Sequence, residues 1–175
     1  ARQATLAIED ASFYSHGALE WKGVLRAFTV NIARGELAQG GSTITQQLAR
    51  NAFLTPEKTI TRKVKELILA IRLEQYYNKD EVLDLYLNHI PYGSNYYGLE
   101  SASQAFFNKP ARELTLAEAA LLAAVPQAPT YYSPWGTHVE ELLERKNLVL
   151  KKMESLGYID EGQLTTALSE NIQFA

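Results

Sequence analysis

The sequence contains no cysteine. Disulfides, zinc-thiolate centres, iron–sulfur clusters and thiol catalysis are therefore excluded. Neither charge is in large excess: 17 Lys and Arg stand against 20 Asp and Glu, a net charge of −3. Non-specific nucleic-acid binding calls for a basic surplus, so no nucleic-acid partner is expected. Long hydrophobic runs are missing too. A membrane span needs ~18–20 apolar residues. The best run, Leu114 to Val125, is too short and carries Glu118. The chain opens on Ala1 without a signal peptide and reads as a piece of a longer protein, with any anchor outside it. What is present is ordinary for a globular chain: 46% apolar and 21% charged residues argue against disorder. Its 175 residues fit one domain, taken as 1–175, because a domain usually occupies ~100–200 residues.

Helix signals dominate. Thr115 and Glu118 have capping-box spacing ahead of the apolar run Ala119 to Val125, which stops at Pro126. Thr137 with Glu140 repeats the box, and Gly157 sits at a C′ position. Asn78 with Glu81 opens a segment that Pro91 closes, and Asp160 with Gln163 opens a last short helix. Ser42 and Thr43 cap a helix running to about Phe53. The longest stretch is Thr59 to Tyr77. There Ile60, Val64, Leu67, Ile68 and Ile71 follow helical spacing and predict a buried stripe. Glu20 to Arg34 also reads as helix. Strand signals are few. Pro91 to Gly98, with Tyr92, Tyr96 and Tyr97, suits a turn or short hairpin. The fold class expected is all-α, with about seven or more helices.

Several residues carry chemical potential. Glu9 and Asp10, followed by Phe13 and His16, are either solvated carboxylates at a helix end or a general base at a cleft edge. Gly40 and Gly41 precede the capped helix that holds Gln46 and Gln47. This is not a P-loop, and it is either an ordinary N-capped loop or a place where free N–H groups receive a phosphate. Arg62, Lys63 and Glu66 lie off the apolar stripe at i, i+3 and i+4 spacings. They form either a solvated face or a polar cleft cut into a central helix. From Arg50 to Arg72 six cations (Arg50, Lys58, Arg62, Lys63, Lys65, Arg72) face two anions (Glu57, Glu66), a local +4. That is either a basic surface or a site for a doubly charged group such as a pyrophosphate. His16, His89 and His138 lack metal-ligand spacing, so the residues indicate no metal site. The clusters Tyr92/Tyr96/Tyr97 and Tyr131/Tyr132/Trp135 either pack loops or stack on sugar rings.

Five segments occur in a set order: Glu9-Asp10-x-x-Phe13-x-x-His16, Gly41-x-Thr43-Ile44-x-Gln46-Gln47, Arg62-Lys63-x-x-Glu66, Lys79-x-x-Val82-Leu83-x-x-Tyr86-Leu87-Asn88 and Arg145-x-x-x-Val149-Leu150. Together they resemble the peptidoglycan glycosyltransferases of glycosyltransferase family 51, found in class A penicillin-binding proteins and monofunctional transglycosylases. One departure is visible. Gly17 follows His16 directly, and Ala18 takes the position where the family carries glycine.

The resemblance implies a lysozyme-like helical domain with a small membrane-facing jaw at about 28–56. It implies polymerisation of lipid II, a disaccharide-peptide on undecaprenyl pyrophosphate, into glycan strands on the outer, periplasmic face of the bacterial cytoplasmic membrane. A fused transpeptidase domain would lie outside this chain. Glu9 would be the general base. Glu66 would be the second carboxylate, either orienting the cations or holding a divalent cation such as Mg2+. Arg50, Lys58, Arg62 and Lys63 would meet the pyrophosphate; Asp10, Ser42, Thr43 and Gln47 would contact substrate; Lys79, Asn88 and Arg145 would support the cleft.

The chemistry agrees independently. An acceptor hydroxyl attacking an anomeric carbon needs a base. A departing pyrophosphate needs cations rather than a proton, whereas a glycosidase must protonate a sugar oxygen with a carboxylic acid of raised pKa. Carboxylates beside a Lys/Arg cluster therefore favour transfer over a lysozyme-like hydrolase or lytic transglycosylase. A non-catalytic lipid II-binding module, the other alternative, would be expected to have lost Glu9 or Glu66. The segment Val24 to Leu37 has apolar residues on more than one side, with Phe28 among them. It and Ala52-Phe53-Leu54 are either core or a surface that meets lipid.

Overall fold

Why the chain is helical is plainest at its caps. In a computed structural model, which describes residues 1–19, 41–57 and 59–175, the side chain of Thr43 accepts from the N–H of Gln46 and starts α2 (Ile44–Phe53). Thr59 does the same for α3 (Ile60–Tyr76) through the N–H of Arg62. Asn78 and Glu81 bond reciprocally at the start of α4 (Lys79–His89). Thr115 and Glu118 form a full capping box on α6 (Leu116–Ala124), and Asp160 and Gln163 form one on α8 (Glu161–Ser169). The expected box at Thr137 does not form. Helix α7 (Val139–Ser155) starts after His138, and the Thr137 hydroxyl lies 3.3 Å from His138 Nδ1 instead. The remaining α-helices are α1 (Arg2–Glu9) and α5 (Leu99–Phe107). No strand occurs among the described residues, only an antiparallel bridge between Pro91 and Tyr97.

The chain divides into two compact units, Ala1–Ala11 with Leu87–Ala175, and Ser12–Tyr86. In the first, α6 is the centre. Its residues from Ala117 to Ala124 are all buried. The alanines let α1 and α7 approach closely. Helix α7 answers with Leu142, Lys146, Val149, Leu150 and Met153 at helical spacing. Gly157, with φ +72°, ends α7 in the left-handed region, as its C′ position requires. Thr115 serves two roles, since its hydroxyl also bonds Glu170 at 2.5 Å. Thr115→Ala is therefore expected to cost about 1–2 kcal/mol, read as a lower urea midpoint.

The second unit is built on α2 packed against α3. Here the expected stripe is reversed. Ile60 is 86% exposed, and Val64, Ile68 and Ile71 are exposed as well. The buried residues of α3 are Glu66, Ala70 and Leu73, beside half-buried Lys63. Their spacing of 3, 4 and 3 is as helical as that of the stripe. The polar face turns inward because α2 presents buried Thr45 and Gln46, which bond Glu74 and Lys63 of α3. The helix expected over Glu20 to Arg34, and the part of the jaw before residue 41, lie outside the described residues.

Candidate active site

Two polar clusters emerge, one in each unit. In the unit Ser12–Tyr86, Lys63 is the hub. Its Nζ donates to Ser42 Oγ at 2.9 Å, to Gln46 Oε1 at 3.3 Å and to Glu66 Oε1. Glu66 is fully buried, while the Lys63 side chain is 42% exposed. The pair thus has a hidden anion and a cation that still reaches solvent. The other carboxylate oxygen, Glu66 Oε2, is buried without a hydrogen-bond partner. Such an atom carries an unmet demand for a donor.

Around this hub the other candidates divide. Ser42 is half-buried and part of the cluster. Thr43 and Gln47 turn inward. Thr43 Oγ1 donates to the carbonyl of Ala18 at 3.0 Å, and Gln46 Nε2 donates to the same oxygen at 3.1 Å. Gln47 Oε1 accepts from the hydroxyl of fully buried Tyr86 at 3.1 Å. These bonds tie Ala18 and Tyr86 to the first turn of α2. Ala18, at the position of the family's glycine, is buried and supplies the anchoring carbonyl. Arg62 donates from Nη1 to the carbonyl of Pro56 at 3.3 Å, and its Nε is buried without a partner. Arg50 is half-buried in the last turn of α2, and Lys58 lies outside the described residues.

Lys79 belongs to a separate network. It pairs with Glu74 at 2.7 Å, Thr45 Oγ1 donates to the same carboxylate oxygen at 2.6 Å, and its ammonium lies 4.4 Å from the centre of the Phe13 ring. Lys79 therefore braces α2 against α3. Among the described residues no group of three His, Asp or Glu could hold a metal ion, and Lys63 engages Glu66.

In the other unit Glu9 ends α1, with its side chain only 10% exposed. Arg145 Nη2 lies 4.0 Å from Glu9 Oε1. The guanidinium is held by an Nε bond to the carbonyl of Ala124 at 2.9 Å and lies over the Tyr132 ring. Asp10 is buried and caps α1 through its N–H to Leu6. Asn88 is exposed in the last turn of α4.

Tyr92, one of the tyrosines expected either to pack a loop or to stack on a sugar ring, is buried in this unit. Its hydroxyl is buried without a partner, and burial, reinforced by the charge of Glu9, pushes its pKa well up. Tyr92 therefore stays neutral beside the carboxylate. Its place in a tyrosine-rich loop was visible, but its inward direction was not.

Comparison with known proteins places this all-α chain in a family. Residues 1–154 match the family described as Transglycosylase, and the chain belongs to it. It is similar to penicillin-binding protein 1A of Aquifex aeolicus (strain VF5), 48% identical over 167 residues, covering 95% of this chain and 23% of that protein. It is also similar to penicillin-binding protein 1A of Escherichia coli (strain K12), 45% identical over 170 residues, covering 97% and 20%. The chain thus spans about a fifth of the length of these relatives. Among solved structures, penicillin-binding protein 1A from Haemophilus influenzae superimposes with a TM-score of 0.54 at 29% identity, over 81% of this chain and 17% of that one.

Proposed function

We propose that this transglycosylase polymerises lipid II into peptidoglycan strands, with Glu9 as general base and the Lys63 cluster receiving the donor pyrophosphate. One observation carries the reading: a half-exposed ammonium held by Ser42, Gln46 and buried Glu66. Three acceptors fix the position of that cation, and the longest of the contacts, to Gln46 at 3.3 Å, is the one a phosphate oxygen would replace as negative charge develops. In the reaction Glu9 removes the acceptor hydroxyl proton. The freed oxygen bonds to the donor's anomeric carbon as the bond to pyrophosphate breaks. The leaving anion passes to Lys63, with Arg62, Arg50 and Lys58 adding positive charge. Arg145 holds Glu9 in place.

The donor carries a lipid, so the reading places the chain at the outer face of the bacterial cytoplasmic membrane. An anchor and a transpeptidase domain would lie elsewhere in a longer protein. A membrane-facing jaw at about 28–56 would let the donor enter without leaving the bilayer. Exposed Phe53 and the outward stripe of Ile60, Val64 and Ile68 suit such a surface. Phe53→Ser and Ile68→Ser are expected to lower sedimentation with anionic lipid vesicles. Their thermal midpoints should stay put, because exposed side chains contribute little to the core. Loss of the melt instead would make these residues core.

Labelled lipid II tests the activity. A ladder of lengthening glycan is expected; binding without growth would reduce the chain to a lipid II-binding module.

A further inference from the structure

Hydrogen bonds at Glu66 do not balance. One oxygen of its carboxylate engages Lys63, and the other, Oε2, is buried without a donor. An ammonium has three N–H bonds to give. Those of Lys63 go to Ser42 Oγ at 2.9 Å, to Gln46 Oε1 at 3.3 Å and to Glu66 Oε1. None is left for Glu66 Oε2, although the two oxygens share one carbon and a small turn would bring the second within reach. A buried acceptor left unmet costs free energy. Some other contact must therefore hold the ammonium away from it.

Gln46 is placed to do so. It is 1% exposed, and its amide has one orientation. The carbonyl of Ala18 only accepts, so Nε2 faces it, at 3.1 Å; the ammonium only donates, so Oε1 faces Lys63. The Ala18 carbonyl is fixed in turn by the Thr43 hydroxyl at 3.0 Å. Among the described non-glycine residues positive φ occurs only at Ser94, Asn95 and Asn108, so Ala18 carries no backbone strain. The Thr43 hydroxyl also accepts from the N–H of Gln46 at 3.2 Å. Main chain and side chain of Gln46 are thus both anchored, and Lys63 is the partner that can let go. The bond to Lys63, at 3.3 Å, lies just beyond the usual ~2.7–3.2 Å range. It steers the ammonium and is cheap to exchange.

We infer that Gln46 is a positioning residue: its amide keeps the Lys63 ammonium off the second oxygen of Glu66, and it yields that N–H when a phosphate oxygen arrives. The phosphate half rests on the glycosyltransferase reading; the hold on Lys63 does not. Without Gln46 the ammonium closes onto both oxygens of Glu66 and is less available to a ligand.

The test is reductive methylation of the whole 175-residue chain with formaldehyde and a borane, read lysine by lysine by mass spectrometry. Exposed Lys65 is the internal reference. Gln46→Met should slow methylation of Lys63 roughly three- to tenfold relative to Lys65, the worth of one hydrogen bond. An ammonium gripped by both carboxylate oxygens gives up its proton less readily. The variant should fold, because Thr43 still serves the Ala18 carbonyl and Ser42 still serves Lys63. In a Glu66→Gln background, where no second carboxylate oxygen waits, the same change should alter the rate less than about twofold. Loss of packing alone would loosen the site and speed Lys63 up. Equal or faster methylation in Gln46→Met, or slowing that persists beside Glu66→Gln, would overturn the inference. If the melt of Gln46→Met is lost, Gln46→Glu decides. Its carboxylate is the same size and keeps the N–H against a phosphate, so affinity for inorganic pyrophosphate should fall about tenfold; unchanged affinity would overturn the inference. Lys63→Ala checks the donor reading separately: pyrophosphate binding untouched by it would remove the donor site, while the methylation rates would still decide the role of Gln46.

Discussion

Glu9→Gln is expected to lower polymer formation from lipid II by roughly 10²–10⁴-fold, the usual contribution of a general base. The amide keeps the shape of the side chain and loses only its ability to take a proton. Its surroundings tolerate that change. Arg145 is independently held by the carbonyl of Ala124 and by the Tyr132 ring, so it does not depend on Glu9 for its position. Tyr92 is neutral and would face a neutral amide. The thermal midpoint should therefore stay near that of the unaltered chain. Turnover near wild type in Glu9→Gln would remove Glu9 from the role of base and leave Glu66 as the carboxylate to test.

Lys63→Ala is expected to lower kcat/KM for the lipid-linked donor roughly 10–100-fold, because a charge-assisted contact to phosphate is worth about 1.5–3 kcal/mol. Lys65→Ala should change it little. The two lysines are two residues apart on α3, but Lys65 is exposed and Lys63 is bonded to Ser42, Gln46 and Glu66. Lys63→Ala should also lower stability, since it leaves buried Glu66 without its cation. The double change Lys63→Ala with Glu66→Gln separates the effects. It should recover much of the stability and none of the activity. Equal losses in Lys63→Ala and Lys65→Ala would mean the basic segment acts as a diffuse field.

Some of this was readable in the sequence for physical reasons. A cap is a local event, so Thr43, Asn78, Thr115 and Asp160 announced their helices. The spacing of Lys63 and Glu66 likewise forced them onto one face of α3. Which face of α3 is buried was not readable. Ile60, Val64 and Ile68 carry the hydrophobic signal, and the opposite face is buried because Gln46 on α2 supplies partners distant in sequence. Thr137 had the right neighbour at the right spacing, yet α7 starts at Val139 with no side-chain cap. Tyr92 and Tyr97 looked alike in the sequence; the hairpin turns one into the unit and the other to solvent.

The central claim is transfer from a pyrophosphate-linked donor. Its most direct measurement counts undecaprenyl pyrophosphate released against glycosidic bonds formed. With lipid II, the account predicts one released for each bond, and with finished glycan as sole substrate it predicts no change in the glycan. Cleavage of finished glycan, or consumption of lipid II without release of the pyrophosphate lipid, would contradict it.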